Sequence, residues 1–167
     1  AIREDYLSGF DHLHVMGTSL AINENWRRAT VSAASIVKEN GGTISFDPNL
    51  RPEMLKVSAL RDACDKVLNL TDIFLPGEEE LTIFGDSKDP EITARKLVKN
   101  GIEMVGLKMG ERGSKFITDS IQIHRPSYPV REVDPTGAGD CFDAGVIKGY
   151  YEGWELEKIA DFANAVG

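Results

Sequence analysis

The sequence predicts an α/β protein built on a mostly parallel sheet with helices layered against it. Three observations carry this reading. Short apolar runs alternate with helix-length amphipathic stretches, and strand–helix repetition implies parallel strands joined by crossover helices. The 167 residues suit one domain, since a chain of about 150 residues buries roughly 70% of its unfolded surface. Hydrophobic residues at 41% and charged residues at 28% give a globular rather than a disordered balance.

Residues 11–16 (DHLHVM) read as a strand, followed by a long helix through Ala33, Ile36 and Val37 that ends near Gly41-Gly42. Residues 43–46 form the next strand, which leads into a loop opened by Asp47-Pro48-Asn49. A helix is expected over 57–68, where Leu60, Ala63, Cys64 and Val67 share one face. A short strand over 72–75 and a short helix over 78–84 follow. Residues 93–100 read as a helix stopped by Gly101, a residue suited to a helix C-terminus. A strand over 103–108 precedes a hairpin of 115–118 and 121–124, split by Asp119-Ser120. Helices over 137–151 and 156–166 close the chain. No internal repeat, low-complexity segment or linker interrupts it, so residues 1–167 are read as a single domain. Trp26 and Trp154 are expected to cover the core from helices. His12, His14 and His124 have no partnered spacing and are expected to be structural or superficial.

Composition excludes several function classes. Lys and Arg number 19 against 27 Asp and Glu, a net charge of −8, which disfavours electrostatic nucleic-acid binding. No apolar stretch approaches the roughly 20 residues that cross a bilayer. Cys64 and Cys141 form neither a disulfide framework nor a CxxC pair, which suggests a reduced, cytoplasmic protein. Ala1-Ile2-Arg3-Glu4-Asp5 lacks a signal-peptide core. The first strand follows only a short charged segment, and the last helix stops at Ala165-Val166-Gly167 without a cap, so the expectation is of an incomplete domain.

The most informative segment is Asp134-Pro135-Thr136-Gly137-Ala138-Gly139-Asp140, directly before an amphipathic helix carrying Phe142, Val146 and Tyr150. Each glycine in a helical first turn costs about 1 kcal/mol relative to alanine. A ligand pressing on uncovered backbone is the usual reason for two of them. Free N–H groups at a helix N-terminus, with the positive end of its dipole, make an anion site. Asp140 would sit beside that anion, where accepting a proton from an attacking hydroxyl is its natural work. The plainer alternative makes Asp134 a helix cap and Pro135 the first helical residue. A dinucleotide fingerprint fails, because Phe142 stands where a third glycine is needed, and no GxxxxGK[ST] is present.

VDPTGAGDCFDAG resembles the C-terminal signature of the ribokinase-type (PfkB) carbohydrate kinases, which transfer the γ-phosphate of ATP to a sugar hydroxyl. The resemblance extends from His14-Val15-Met16-Gly17 to Asn164. It implies a three-layer ribokinase-like sheet with helices on both faces, without the family's N-terminal half and lid. Residues 1–167 would then be the nucleotide-binding and catalytic portion. It also implies Asp140 as catalytic base and Gly137, Ala138 and Gly139 as the anion hole.

Further loops gain a meaning from the same resemblance. Lys108-Met109-Gly110-Glu111-Arg112-Gly113 lies between a strand and a hairpin; its spaced glycines allow close approach of a ligand, and Lys108 adds positive charge. A plain turn would carry the same spacing, but the position is similar to the family loop that contacts ATP, which implies Lys108, Gly110 and Gly113. Asn49 joins that cofactor-binding set, as does Asn164, whose segment Phe162-Ala163-Asn164-Ala165 is similar to the adenine-pocket helix. Asp47-Pro48-Asn49-Leu50-Arg51-Pro52 follows a strand's C-terminal end, where α/β sheets place ligands. It resembles the loop of the 2-keto-3-deoxygluconate kinase and fructokinase branches, which implies Arg51 and Asp140 in sugar binding. An arginine fork suits a sugar acid better than a neutral ketose. Pro76-Gly77-Glu78-Glu79-Glu80-Leu81 resembles the NxxE element that organises Mg²⁺ through water; Glu80 keeps the glutamate and Gly77 replaces the asparagine. Asp134 and Thr136 match positions lining a monovalent-cation (K⁺) site in some relatives.

The resemblance thus implies ATP- and Mg²⁺-dependent phosphorylation of a sugar or sugar acid, 2-keto-3-deoxygluconate or a ketohexose being the leading candidates. The alternative is a noncatalytic regulatory protein that binds sugar or nucleotide on the same fold. The expected partner is a small-molecule sugar, with no nucleic acid and no membrane; homo-oligomerisation of the full-length protein is left open.

Overall fold

Among the described residues, six strands form one sheet whose spatial order follows the sequence. The computed structural model describes residues 2–50, 54, 57–85 and 87–167. Strands β1 (His12–Met16), β2 (Thr43–Asp47), β3 (Ile73–Phe74) and β4 (Met104–Lys108) run parallel. Strands β5 (Ser114–Ile117) and β6 (Gln122–Arg125) continue antiparallel as the expected hairpin. Although β3 is short, its ladder runs on through Asp72 N to Ile44 O and Leu75 N to Phe46 O, both 2.9 Å.

Helices cover both faces, as the three-layer reading requires. Helices α1 (Glu4–Leu7), α2 (Gly17–Ala21), α3 (Glu24–Glu39), α4 (Ser58–Leu68), α5 (Glu78–Phe84) and α6 (Pro90–Lys99) precede β4, while α7 (Ala138–Tyr151) and α8 (Leu156–Val166) follow β6. Side-chain alternation along the strands divides the core in two. Phe46, Phe74, Val105 and Leu107 pack with Val37, Leu60, Val67, Leu81 and Ala94 on one side. Ile73, Leu75, Met104 and Phe116 pack with Phe142, Val146, Ile159 and Ala163 on the other. Phe46 and Phe74 stack at 5.7 Å, and Phe84 meets both edge-on.

The structure departs from the sequence reading at identifiable points. The long helix expected after β1 is two helices, α2 and α3, because the Asn23 side chain accepts from Trp26 N at 3.1 Å and starts α3 afresh. Helix α6 begins earlier than expected, at Pro90, with Asp89 accepting from Glu91 N. The short α1 was not anticipated. Trp26 is 51% exposed and does not cover the core, whereas Trp154 packs on the second core. Arg51 and Pro52 lie outside the described residues. Among the described residues no helix is long and apolar enough to cross a membrane.

Candidate active site

The carboxyl ends of the four parallel strands bring Gly17, Asp47, Gly77 and Lys108 to one edge of the sheet, where open α/β sheets hold their ligands. The loop after β2 is pinned from several directions. Asn49 N donates to Asp47 Oδ1 at 3.1 Å, and Asn49 takes a left-handed φ of 41°, which asparagine tolerates. Glu80 ties this loop to the next one: Oε1 accepts from Leu50 N at 2.8 Å and Oε2 from Gly77 N at 2.7 Å. Gly17 touches the same loop so closely that a Cβ there would lie 2.0 Å from Pro48 O.

Helix α7 presents its N-terminus to this edge. Gly137 adopts φ 85°, a left-handed geometry that favours glycine, and a Cβ there would meet open space. Ala138 N donates to Pro135 O and Cys141 N to Gly137 O, while the amides of Gly139 and Asp140 have no hydrogen-bond partner among the described residues. Two unengaged amides at a helix start form an anion cradle. Among the described residues no side chain plugs the turn: Gly137, Gly139 and Asp140 border a cavity of about 310 Å³, together with Asp47, Asn49, Gly77, Glu80, Lys108 and Pro135.

A larger cavity of about 640 Å³ adjoins it. Met109, Gly110, Gly113, Ala138, Phe142 and Asn164 are among its lining residues, and Lys108, Pro135 and Gly139 belong to both cavities. Lys108 therefore places a cation at the junction. Its Nζ lies 2.8 Å from Asp47 Oδ2 and 3.3 Å from Asp143 Oδ1. Burial pulls its pKa down, but the two carboxylates outweigh that and hold the ammonium above its ordinary range. Burial likewise raises the Glu80 carboxyl, partly offset by its two amide donors.

Most of the residues singled out by sequence thus meet around two adjoining cavities. Asn164 is not a solvated helix residue: its Nδ2 donates to Arg125 O at 3.2 Å and Pro126 O at 3.1 Å, fastening α8 to the end of β6. Gly113 owes its identity to packing, since a Cβ there would lie 2.0 Å from Arg125 O. Asp134 is exposed and accepts from Thr136 N at 2.9 Å. Asp143 and the pairing role of Asp47 escaped the sequence reading. The available signal was an acidic residue inside the apolar Phe142–Val146 face of α7.

Among the described residues no three His, Cys, Asp or Glu side chains are grouped to hold an ion directly. Both Glu80 oxygens already accept from amides. The site fits Mg²⁺ carried by phosphates and reached through water, the usual habit of that ion, with Glu80 as the nearby carboxylate; Asp47 is already engaged by Asn49 N and Lys108.

Comparison with known proteins identifies the family. Residues 2–167 match the pfkB family carbohydrate kinase model. The chain is 33% identical to 2-dehydro-3-deoxygluconokinase of Bacillus subtilis over 165 residues, which is 98% of this chain and 51% of that protein. It is 34% identical to a fructokinase of Klebsiella pneumoniae over 139 residues, covering 82% of this chain and 45% of that one. An E. coli protein classed as a ribokinase II, solved in complex with ATP and Mg²⁺, superimposes with a TM-score of 0.93 at 41% identity, over 98% of this chain and 53% of the other. The chain spans about half the length of the curated relatives it matches. With an anion cradle, a neighbouring acid and two joined cavities where the strands end, and with the match running nearly end to end, this chain belongs to the pfkB family of carbohydrate kinases.

Proposed function

We propose that this chain carries the nucleotide-binding and catalytic portion of a kinase that moves the γ-phosphoryl group of ATP onto a hydroxyl of a sugar or sugar acid. The observation that carries the reading is the α7 turn, whose unengaged amides and Asp140 border the smaller cavity while Gly139 and Lys108 border both. ATP occupies the larger cavity with its phosphates toward Lys108 and Gly139, and the acceptor occupies the smaller one. Asp140 takes the hydroxyl proton, the hydroxyl oxygen bonds to the γ-phosphorus, and the bond to the β-phosphate bridging oxygen breaks to release ADP. The Gly137–Gly139 turn holds the charge that spreads over the moving group, which matters more in this loose transfer than base strength. Glu80 would organise Mg²⁺ through water, and the ion would add charge neutralisation to the transfer. K⁺ at Asp134 and Thr136 is part of the proposal as an activator, checked by comparing turnover in potassium and tetramethylammonium salts.

The acceptor is proposed to be 2-keto-3-deoxygluconate or a ketohexose, supported by the names of the relatives above. Buried Cys64 and exposed Cys141, both unpaired, suit a reducing cytoplasm. The test is ADP release by the full-length protein with 2-keto-3-deoxygluconate, fructose, tagatose and ribose. Asp140→Ala should lower kcat by about 10²–10⁴-fold while the KM for ATP barely moves. An unchanged kcat removes Asp140 from the base role, and nucleotide binding without turnover on any sugar favours the noncatalytic alternative.

A further inference from the structure

The buried acid on α7 has no task in the mechanism above. Asp143 sits one helical turn beyond Gly139, so it lies on the same face, beneath the anion cradle. Its side chain is only 2% exposed, and Oδ2 is buried without a hydrogen-bond partner among the described residues. Orphaned buried carboxylate oxygens are costly and call for a reason.

The charges around it supply one. Asp143 faces Lys108 from β4, Asp47 from β2 and His14 from β1, whose Nε2 is 4.0 Å from Oδ2. Burial disfavours an imidazolium at His14 and lowers its pKa, while its Nδ1 is engaged with Ser45 Oγ at 2.7 Å. One ammonium therefore faces two buried carboxyl groups. Burial first, and then the Asp47 carboxylate as like charge and hydrogen-bond acceptor, push Asp143 up to about 8 against the pull of Lys108. A proton on Asp143 settles the orphaned oxygen and the like-charge repulsion together.

We propose that Asp143 is a positioning residue that, opposite Asp47, holds Lys108 Nζ under the α7 turn at the junction of the two cavities. A Cβ built on Gly139 would come within 3.8 Å of Lys108 Nζ, so the ammonium rests against the cradle itself. With Asp143 neutral, the trio of Lys108, Asp47 and Asp143 sums to zero charge and leaves the positive potential of the turn intact. With Asp143 ionised, the trio is net negative and repels the phosphoryl group it underlies. Asp143 touches neither ligand; it acts through Lys108. The inference rests on the kinase reading.

The test uses the full-length protein and two variants. Asp143→Asn copies the neutral acid, accepting from Lys108 through oxygen and donating to Asp47 through nitrogen, and should keep kcat within about threefold of wild type; Asp143→Ala should lose about tenfold or more in kcat with little change in the sugar KM. The alkaline limb of the kcat–pH profile, which reports ionisation of Asp143, should flatten in Asp143→Asn. A folded Asp143→Ala with wild-type kcat, an Asp143→Asn as damaged as Asp143→Ala, or an unchanged alkaline limb overturns the proposal. Melting temperature against pH gives a readout independent of turnover. Wild type should lose stability as pH rises from the ordinary carboxyl range through about 8, and Asp143→Asn should not. If wild type phosphorylates no sugar, the kinase reading and the positioning role fall together. The melting curves still decide whether Asp143 holds that proton.

Discussion

Gly17→Ala puts a single methyl group where the molecule has no room. Its Cβ would lie 2.0 Å from Pro48 O, 2.9 Å from Pro48 C and 3.0 Å from a Leu50 methyl. An ordinary contact begins near 3.4 Å, so the loop after β2 must retreat by about 1.4 Å or α2 must tilt away from it. Neither is easy, because the loop is fastened by Asn49 N to Asp47 and by Leu50 N to Glu80. Asp47 in turn fixes Lys108. A displacement of about 1 Å in a supporting element can lower turnover by about 10²-fold, and overpacking of this kind destabilises by about 1–3 kcal/mol. The assay is steady-state ADP release by the full-length Gly17→Ala variant, with melting followed in parallel. A kcat within twofold of wild type and an unmoved melting temperature would refute the argument that this contact positions the loop.

Other substitutions probe other parts of the same frame. Glu80→Gln should cost about 1–3 kcal/mol in urea unfolding, since one of the two amides now bonded to the carboxylate meets an NH₂ group instead; an unchanged midpoint would contradict the tie. Phe116→Ala removes a fully buried ring that faces Phe142 at 6.0 Å and should cost about 3–5 kcal/mol in the same measurement. His12 is lowered to about 4 by burial and by His14, so the folded state disfavours its protonation. Stability is then fully present above the ordinary histidine range near 6.5 and falls as pH drops from there through about 4. His12→Gln should flatten that acid limb of a denaturation series; an identical limb would show that His12 is not its source.

The layers were legible because their signals are periodic. The runs at 11–16, 43–46 and 103–108 sit within a residue or so of β1, β2 and β4, and the hairpin is where Asp119-Ser120 placed it. Local capping defeated the reading elsewhere. Asn23 competes for the backbone of its own helix, and an apolar periodicity continuing past it conceals the break. Gly137, Gly139 and Asp140 stood out in the sequence through the strangeness of glycines opening a helix, and they border the smaller cavity. Asp143, by contrast, looks like one more polar position on α7 until the sheet beneath supplies Lys108 and Asp47 from strands 35 and 96 positions away in sequence. His12 and His14 showed no spacing because they meet Thr43 and Ser45 across a parallel ladder. Pairings of that kind are created by register, and a single sequence does not display register.

Because Lys108 borders both cavities, an anionic group in either one meets the same ammonium. A ligand that draws on this ammonium from one side alters what it offers to the other. Thermodynamic linkage makes the influence mutual, so whatever factor the nucleotide imposes on acceptor affinity, the acceptor must return to the nucleotide. Titrating each ligand in the presence of the other should therefore close a cycle with one coupling energy, and replacing Lys108 should shrink it.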